Sequence, residues 1–276
     1  MSTNLFAGTL VEMTAPKVVE AAKRGAGVLL PIGVMENHGP HLPVGTDAYI
    51  AGTLCRLTQR YAAEKGVELL IAPPFYWGIN KVLDALPFSF RVRPEIAGGL
   101  LNDVVDTLID NGLNDIFLVS HQGDLDHNKM VLAVVQEQHA RGRKGVRWLY
   151  APARWRMFAR LGLTGKEPIW VPWEPSAEFD SFKTTGILGV HADEFETAAM
   201  VRFQPDTVDF DVLRNLPPTD LTVQDLERWR KGGEEAKAVT PDGYFGAPNP
   251  IDPDLWRHYD ITARTMAAAL IKERAR

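Results

Sequence analysis

The sequence predicts an α/β protein, a three-layer α/β/α sandwich around a mostly parallel central sheet. Two observations carry this. Short apolar runs alternate with amphipathic segments in the order βαβαβαβ, and the runs are apolar almost throughout, as strands covered on both faces must be. With 276 residues, 45% of them hydrophobic, the chain can also bury a full core, and no linker composition divides it, so residues 1–276 read as one domain.

The first strand is Val28-Leu29-Leu30-Pro31-Ile32. A helix follows Asp47, with Ile50, Leu54, Leu57 and Tyr61 at helical spacing, and stops at Gly66. The second strand is Glu68-Leu69-Leu70-Ile71-Ala72. Pro94 opens the next helix, whose Ile96, Leu100, Val104 and Leu108 share a face before Gly112 ends it. Asp115-Ile116-Phe117-Leu118-Val119 and Val146-Arg147-Trp148-Leu149-Tyr150 complete four core strands, separated by a helix over about Asp126–Arg141. A last helix runs over about Tyr259–Lys272. The stretch from about Asp206 to Pro253, rich in Pro, Asp and charged residues, reads as a wrap around the surface or a neighbouring subunit.

Composition excludes several function classes. A net charge of −5 without a basic run is a poor match for neutralising a phosphate backbone, so nucleic acid is not an expected partner. No apolar run approaches the ~20 residues of a membrane span, and the start MSTNLFAGTLVEM lacks a basic region followed by an apolar one. A cytoplasmic protein is expected. The single cysteine, Cys55, falls in a helical pattern and reads as a packed thiol rather than a nucleophile.

Three polar clusters stand out. GVMENHGPHLPVGTD, Gly33 to Asp47, follows the first strand and gathers Glu36, His38, His41 and Asp47 among three glycines and two prolines. SHQGDLDHN, Ser120 to Asn128, follows the third strand. Both therefore lie at the carboxyl ends of strands, where ligands collect in such sheets. VHADEFETAAM, Val190 to Met200, begins a helix with Glu194 and Glu196 near its start. Carboxylate oxygens mixed with imidazole nitrogens suit Zn²⁺ or Mn²⁺, with Fe²⁺ also accepted, and the absence of clustered cysteines argues against a structural zinc site. In an extended Glu36-x-His38 the two side chains point the same way, so two adjacent ions can each take one of them while Asp47 bridges. Such a pair holds a hydroxide between the ions and polarises a carbonyl, which makes hydrolysis the expected reaction.

At these residues the chain resembles the creatininase (creatinine amidohydrolase) family. The first segment is similar to the family's Glu-x-His-Gly-x-His followed by Gly-Thr-Asp, SHQGDLDHN to its Asn-Gly-His-Gly-Gly-Asn loop, and HADEFETA to its His-Ala-Gly-Glu-x-Glu-Thr-Ser segment. The resemblance spans about residues 5 to 205. It implies a creatininase-like sandwich, a small-molecule amide substrate, two divalent ions per subunit and a homo-oligomer, commonly a hexamer. Carried over by position, it implies that Glu36 and His121 share one ion, that His38 holds the other and that Asp47 bridges. Creatininase takes a further ligand from a glutamate two residues after the loop histidine. That position is Gly123 here, so Glu196 is assigned instead, with Glu194 and Asp124 as substitutes. His191 matches a histidine beside the substrate and is the expected acid for the leaving nitrogen, with Glu194 placed beside it in the catalytic set. His41 is expected to orient the site from the substrate side.

Departures from the family pattern bear on substrate. Leu86-Pro87-Phe88-Ser89 replaces a Phe-Pro-Gly-Thr, and Gln122 replaces an aromatic residue, which argues against creatinine itself. Lys81, Phe88, Gln122, Asp124, Trp170 and Trp173 are the expected substrate-binding residues. Lys81, however, is more often a solvated side chain than an anion anchor. The insertion-like run Trp170–Phe182 is either a substrate-covering loop or an oligomer contact. Cleavage of an amide C–N bond, in a cyclic or small linear amide, is the leading function. The alternatives are hydrolysis of a C–C bond in a ring diketone and a metal-binding scaffold without turnover.

Overall fold

The computed structural model describes residues 4–151 and 155–275. Its strands are β1 (Gly27–Ile32), β2 (Leu69–Ile71), β3 (Ile116–Ser120), β4 (Val146–Tyr150) and β5 (Trp170–Pro172). Its helices are α1 (Ala15–Lys23), α2 (Thr46–Ala63), α3 (Pro94–Asp110), α4 (Leu125–Ala140), α5 (Trp155–Arg160), α6 (Glu194–Phe203), α7 (Phe210–Leu213), α8 (Val223–Trp229), α9 (Gly233–Val239) and α10 (Arg257–Arg274). The sheet order is β2-β1-β3-β4-β5 and every pairing is parallel.

Residue alternation along the strands builds two separate cores. Val28, Leu30, Ile32 and Leu118 pack with α3 and α4 through Ala97, Leu101, Val105 and Val131. Leu29, Ile71, Phe117 and Val119 face the other way, onto Ile50 and Leu57 of α2, Met200 of α6 and Met266 of α10. Both faces of the sheet are thus covered, the three-layer arrangement that the apolar strands imply. Fully burying one such aliphatic side chain stabilises the fold by roughly 1.5–3 kcal/mol, so neither face can be left to water. No helix among the described residues is long and apolar enough to cross a membrane.

Three departures from the sequence-based expectation have physical causes. The run beginning at Trp170 opens as β5, whose Trp170 and Val171 are buried in the two cores; only three residues long, it carries too little pattern to be recognised. Its Pro172 is tolerated because β5 lies at a sheet edge, where no further strand needs its missing N–H. The stretch 206–253 is not a bare wrap. It forms α7, α8 and α9 and then returns Phe245 to His191, with the Phe245 N–H donating to the His191 carbonyl at 2.8 Å. Helix α1 lies where no helix was expected from the pattern.

The order of strands places the site. From β1 the chain crosses by α2 on one face to β2, then by α3 on the opposite face to β3, which lies on the other side of β1. The loops leaving β1 and β3 therefore diverge and open a crevice at the carboxyl edge. Ile32 is paired with Ser120, and the His121 N–H donates to the Ile32 carbonyl at 3.1 Å, so the two loops begin side by side.

Candidate metal centre

Four segments converge on that crevice. The loop after β1 supplies Glu36 and His38, the first turn of α2 supplies Asp47, the loop after β3 supplies His121 and Gln122, and the start of α6 supplies His191 and Glu196. Gly33 cannot be replaced without a clash, because a Cβ there would lie 2.8 Å from the Ala48 amide nitrogen at the start of α2. That close approach brings Asp47 beside the loop. Ala192, fully buried, holds φ at 49°, a left-handed conformation uncommon for a residue other than glycine. Its N–H donates to Glu196 Oε2 at 2.6 Å and so aims that carboxylate into the centre.

The backbone fixes both central imidazoles. His38 is wholly buried, and its Nδ1–H donates to the Glu36 carbonyl at 3.1 Å, since a carbonyl can only accept. Its Nε2 has no hydrogen-bond partner and lies 3.5 Å from Asp47 Oδ1 and 3.8 Å from Glu196 Oε2. His191 is held the same way: Nε2–H donates to the Asn37 carbonyl at 2.7 Å, leaving Nδ1 3.6 Å from Glu36 Oε1. His121 Nε2 donates to Glu196 Oε1 at 3.2 Å. The Gln122 amide is also oriented: its Oε1 accepts from the Asp124 N–H, and its Nε2 donates to both Glu36 Oε1 at 3.1 Å and Asp47 Oδ2 at 3.2 Å. Two sets of donors lie close enough to hold a cation, Glu36 with His38 and His191, and His38 with Asp47 and Glu196.

The electrostatics call for positive charge. Burial and the neighbouring Asp47 push the Glu36 carboxyl well above its ordinary range. For His38, burial favours the neutral ring, but Asp47, Glu196 and Glu36 together outweigh it and carry the imidazole up to about 10. Burial and then His38 lower His191 to about 4. Burial opposes ionisation of Glu196, yet the hydrogen bond from His121 and the charge on His38 pull it well below the usual carboxylate range. A proton at His38 Nε2 thus stands where a metal ion would bind. The unpartnered buried nitrogen and the oxygen-rich donor set fit a divalent ion, which would displace that proton.

The remaining residues singled out in the sequence fall into different surroundings. His41 is buried outside the donor sets, its Nε2 3.0 Å from the Thr197 hydroxyl. Asp124 caps α4, and Lys81 stands on the outer wall of the cavity beside the centre. Trp173 lines a second cavity. Three expected residues do not join the centre. Glu194 turns away because the Thr185 N–H and hydroxyl occupy its carboxylate at 2.8–3.1 Å. Phe88 is 77% exposed and walls neither cavity, and Trp170 belongs to the core packing of β5. The pattern also missed Asn37, whose carbonyl orients His191, and Trp229, whose ring centroid lies 6.0 Å from that of His191. A backbone carbonyl leaves no sequence signal, and Trp229 lies in a short helix far along the chain.

Comparison with known proteins identifies the family and the fold. The Creatininase family, described as creatinine amidohydrolase, matches residues 11–269. A mycofactocin precursor peptide peptidase of Mycolicibacterium smegmatis is 24% identical over 226 residues, 80% of this chain and 74% of that protein. A 3-dehydro-scyllo-inosose hydrolase of Thermotoga maritima is 25% identical over 112 residues, 40% of this chain and 34% of that protein. Among solved structures, a creatininase described as the Mn form has a TM-score of 0.67 at 17% identity, covering 96% of this chain and 98% of its own. A creatininase variant of Zn-Zn type has a TM-score of 0.68 at 19% identity, covering 96% and 97%. The chain belongs to the creatininase family of metal-dependent amidohydrolases.

Proposed function

We propose that the chain is a dinuclear metal-dependent hydrolase, working as one domain, that cleaves an amide C–N bond in a small molecule. The observation that carries the reading is His38 Nε2, buried without a hydrogen-bond partner among Asp47 and Glu196, its lone pair directed inward by the bond from Nδ1–H to the Glu36 carbonyl. Asp47 suits a bridge, because Oδ1 faces His38 while Oδ2 shares the Gln122 amide with Glu36. By the family resemblance, Glu36 and His121 would hold one ion and His38 the other, and Glu196, 3.8 Å from His38 Nε2 and 3.2 Å from His121 Nε2, would complete the set. Zn²⁺, Mn²⁺ and Fe²⁺ all suit these donors. Bound divalent ions supply Lewis acidity, which polarises the carbonyl and makes water acidic enough to attack near neutral pH.

The chain's own residues supply the rest. Water adds its oxygen to the carbonyl carbon and gives a proton to His191 Nδ1, whose partner nitrogen is already fixed on Asn37. The same nitrogen returns that proton to the leaving nitrogen as the C–N bond breaks, which yields a carboxylic acid and an amine. Gln122 keeps Glu36 and Asp47 from turning apart during these steps.

The test is metal analysis of the purified protein together with turnover of a panel of cyclic and linear amides, with one cyclic diketone included. About two divalent ions per chain and cleavage of an amide are expected. Glu196→Gln should lower turnover by at least about 10²-fold, the scale of disturbing a metal site, while Glu194→Gln changes it by less than about tenfold. Preferred cleavage of the diketone would replace the amide reading, and full metal content without turnover of anything would replace it with the scaffold.

A further inference from the structure

Two cavities adjoin the centre and differ in character. The first has a volume of about 370 Å³ and the second about 320 Å³, and His121, Gln122, Val190 and Glu196 stand in the walls of both. Each is large enough for part of a ligand well beyond a single small ring. The outer wall of the first carries Lys81, Arg160, Arg230 and Lys231, brought there by three separate stretches: the loop after β2, helix α5 and the end of α8. Away from the centre, the same cavity is lined by two carboxylates, Asp124 and Asp126. Asp124 accepts four backbone N–H groups, from Lys81, Val82, Asp126 and His127, at 2.8–3.2 Å. Asp126 pairs with Lys129 at 3.1 Å. Lys81 leans toward Asp84 at 3.8 Å, whereas among the described residues Arg160 and Lys231 have no ion-pair partner. The second cavity is walled by Trp173, Phe195, Tyr259, Leu54, Leu149 and Met266.

Single exposed cations are ordinarily just solvated. Four converging from three segments on one concavity offer an anionic group several cationic partners at once. His191 stands in the wall of the first cavity and not of the second, so the leaving nitrogen is served from the cationic side. We propose that the substrate is an N-acyl amino acid or similar amide, its amine half carrying a carboxylate into the cationic cavity and its acyl half an apolar group against Trp173 and Tyr259. This rests on the amidohydrolase reading above and adds to it the substrate class.

The probes are N-benzoylglycine and N-isobutylbenzamide, which differ by replacement of the carboxylate with an uncharged group of similar size. Metal-loaded wild type should favour the acid in kcat/KM by about tenfold or more at low ionic strength, mostly through KM, and lose much of that preference in ~0.5 M salt. In the double variant Arg160→Gln with Lys231→Gln, both at exposed positions, the ratio should fall several-fold; thermal unfolding checks that the variant is folded. A ratio near one in wild type overturns the proposal. So does a preference the double variant leaves intact, because the carboxylate would then be sitting on the metals. Should no amide be cleaved, the amidohydrolase reading and the amide substrate fail together, and calorimetric binding of N-benzoylglycine to wild type and variant still decides the remaining part, that the cationic cavity receives a carboxylate. Weaker binding by the variant supports it, and equal affinity overturns it.

Discussion

His38 and His127 are both wholly buried, yet they sit in opposite electrostatic settings. At the mouth of β1, His38 keeps one nitrogen without a hydrogen-bond partner among carboxylates and is driven up to about 10. Near the start of α4, His127 has both nitrogens occupied: Nδ1 accepts the Ile79 N–H at 3.3 Å, and Nε2–H donates to the Ser120 hydroxyl at 3.1 Å. Burial lowers it to about 4, so it stays neutral and acts as a strut between the loop after β2 and the end of β3. Burial alone therefore does not separate a candidate ligand histidine from a structural one; the partners of its two nitrogens do.

The contrast can be broken by mutation. His38→Ala removes the inward nitrogen and should lower amide turnover by at least about 10³-fold with loss of bound metal, while the protein stays folded; retention of full metal content would remove His38 from the ligand set. His127 gives a pH signature instead. Its folded pKa lies below the unfolded value of 6.5, so its contribution is complete above pH 6.5 and is lost as pH falls toward 4. His127→Gln should accordingly flatten the loss of stability across that window, by up to about 3 kcal/mol, as read by denaturant titration at a series of pH values. The smallest effect links the two regions. A Cβ on Gly78 would press into the His127 ring and lie 2.8 Å from the Gly33 carbonyl, so Gly78→Ala should cost about 1–3 kcal/mol in thermal unfolding. If metal affinity falls with it, the strut also holds the metal loop.

Much of this was legible in the sequence. Strand β4 matches its predicted bounds, and β1, β2 and β3 lie within one residue at each end, because each is a continuous apolar run in a sheet covered on both faces. Glu36, His38, Asp47, His121 and Glu196 could be singled out because the family resemblance supplied their roles at positions that follow strands or open helices; the fold brings four of them, with His191, into two sets close enough to hold a cation, and His121 stands beside Glu196 outside both. What escaped lacked such a pattern. Trp170 looks like part of a loop in sequence, since a three-residue edge strand ending in proline shows no periodicity. Glu194 was placed in chemistry because two glutamates spaced by one residue look alike in sequence, and only the fold shows Thr185 occupying one of them. The cations Arg160, Arg230 and Lys231 look like any solvated helix end until folding gathers them on one cavity.

The donors of the centre are drawn from Glu36 through Glu196, and the last of them are pinned by Phe245, whose N–H meets the His191 carbonyl. Synthesis runs from the amino terminus, and long-range contacts of this kind form late. A growing chain that ends before Glu196 cannot assemble the site, however well its first strands have collapsed. On the proposed reading, choice of metal would therefore wait until the chain has been made past Phe245, and it would reflect the ions available where and when that part of the fold forms.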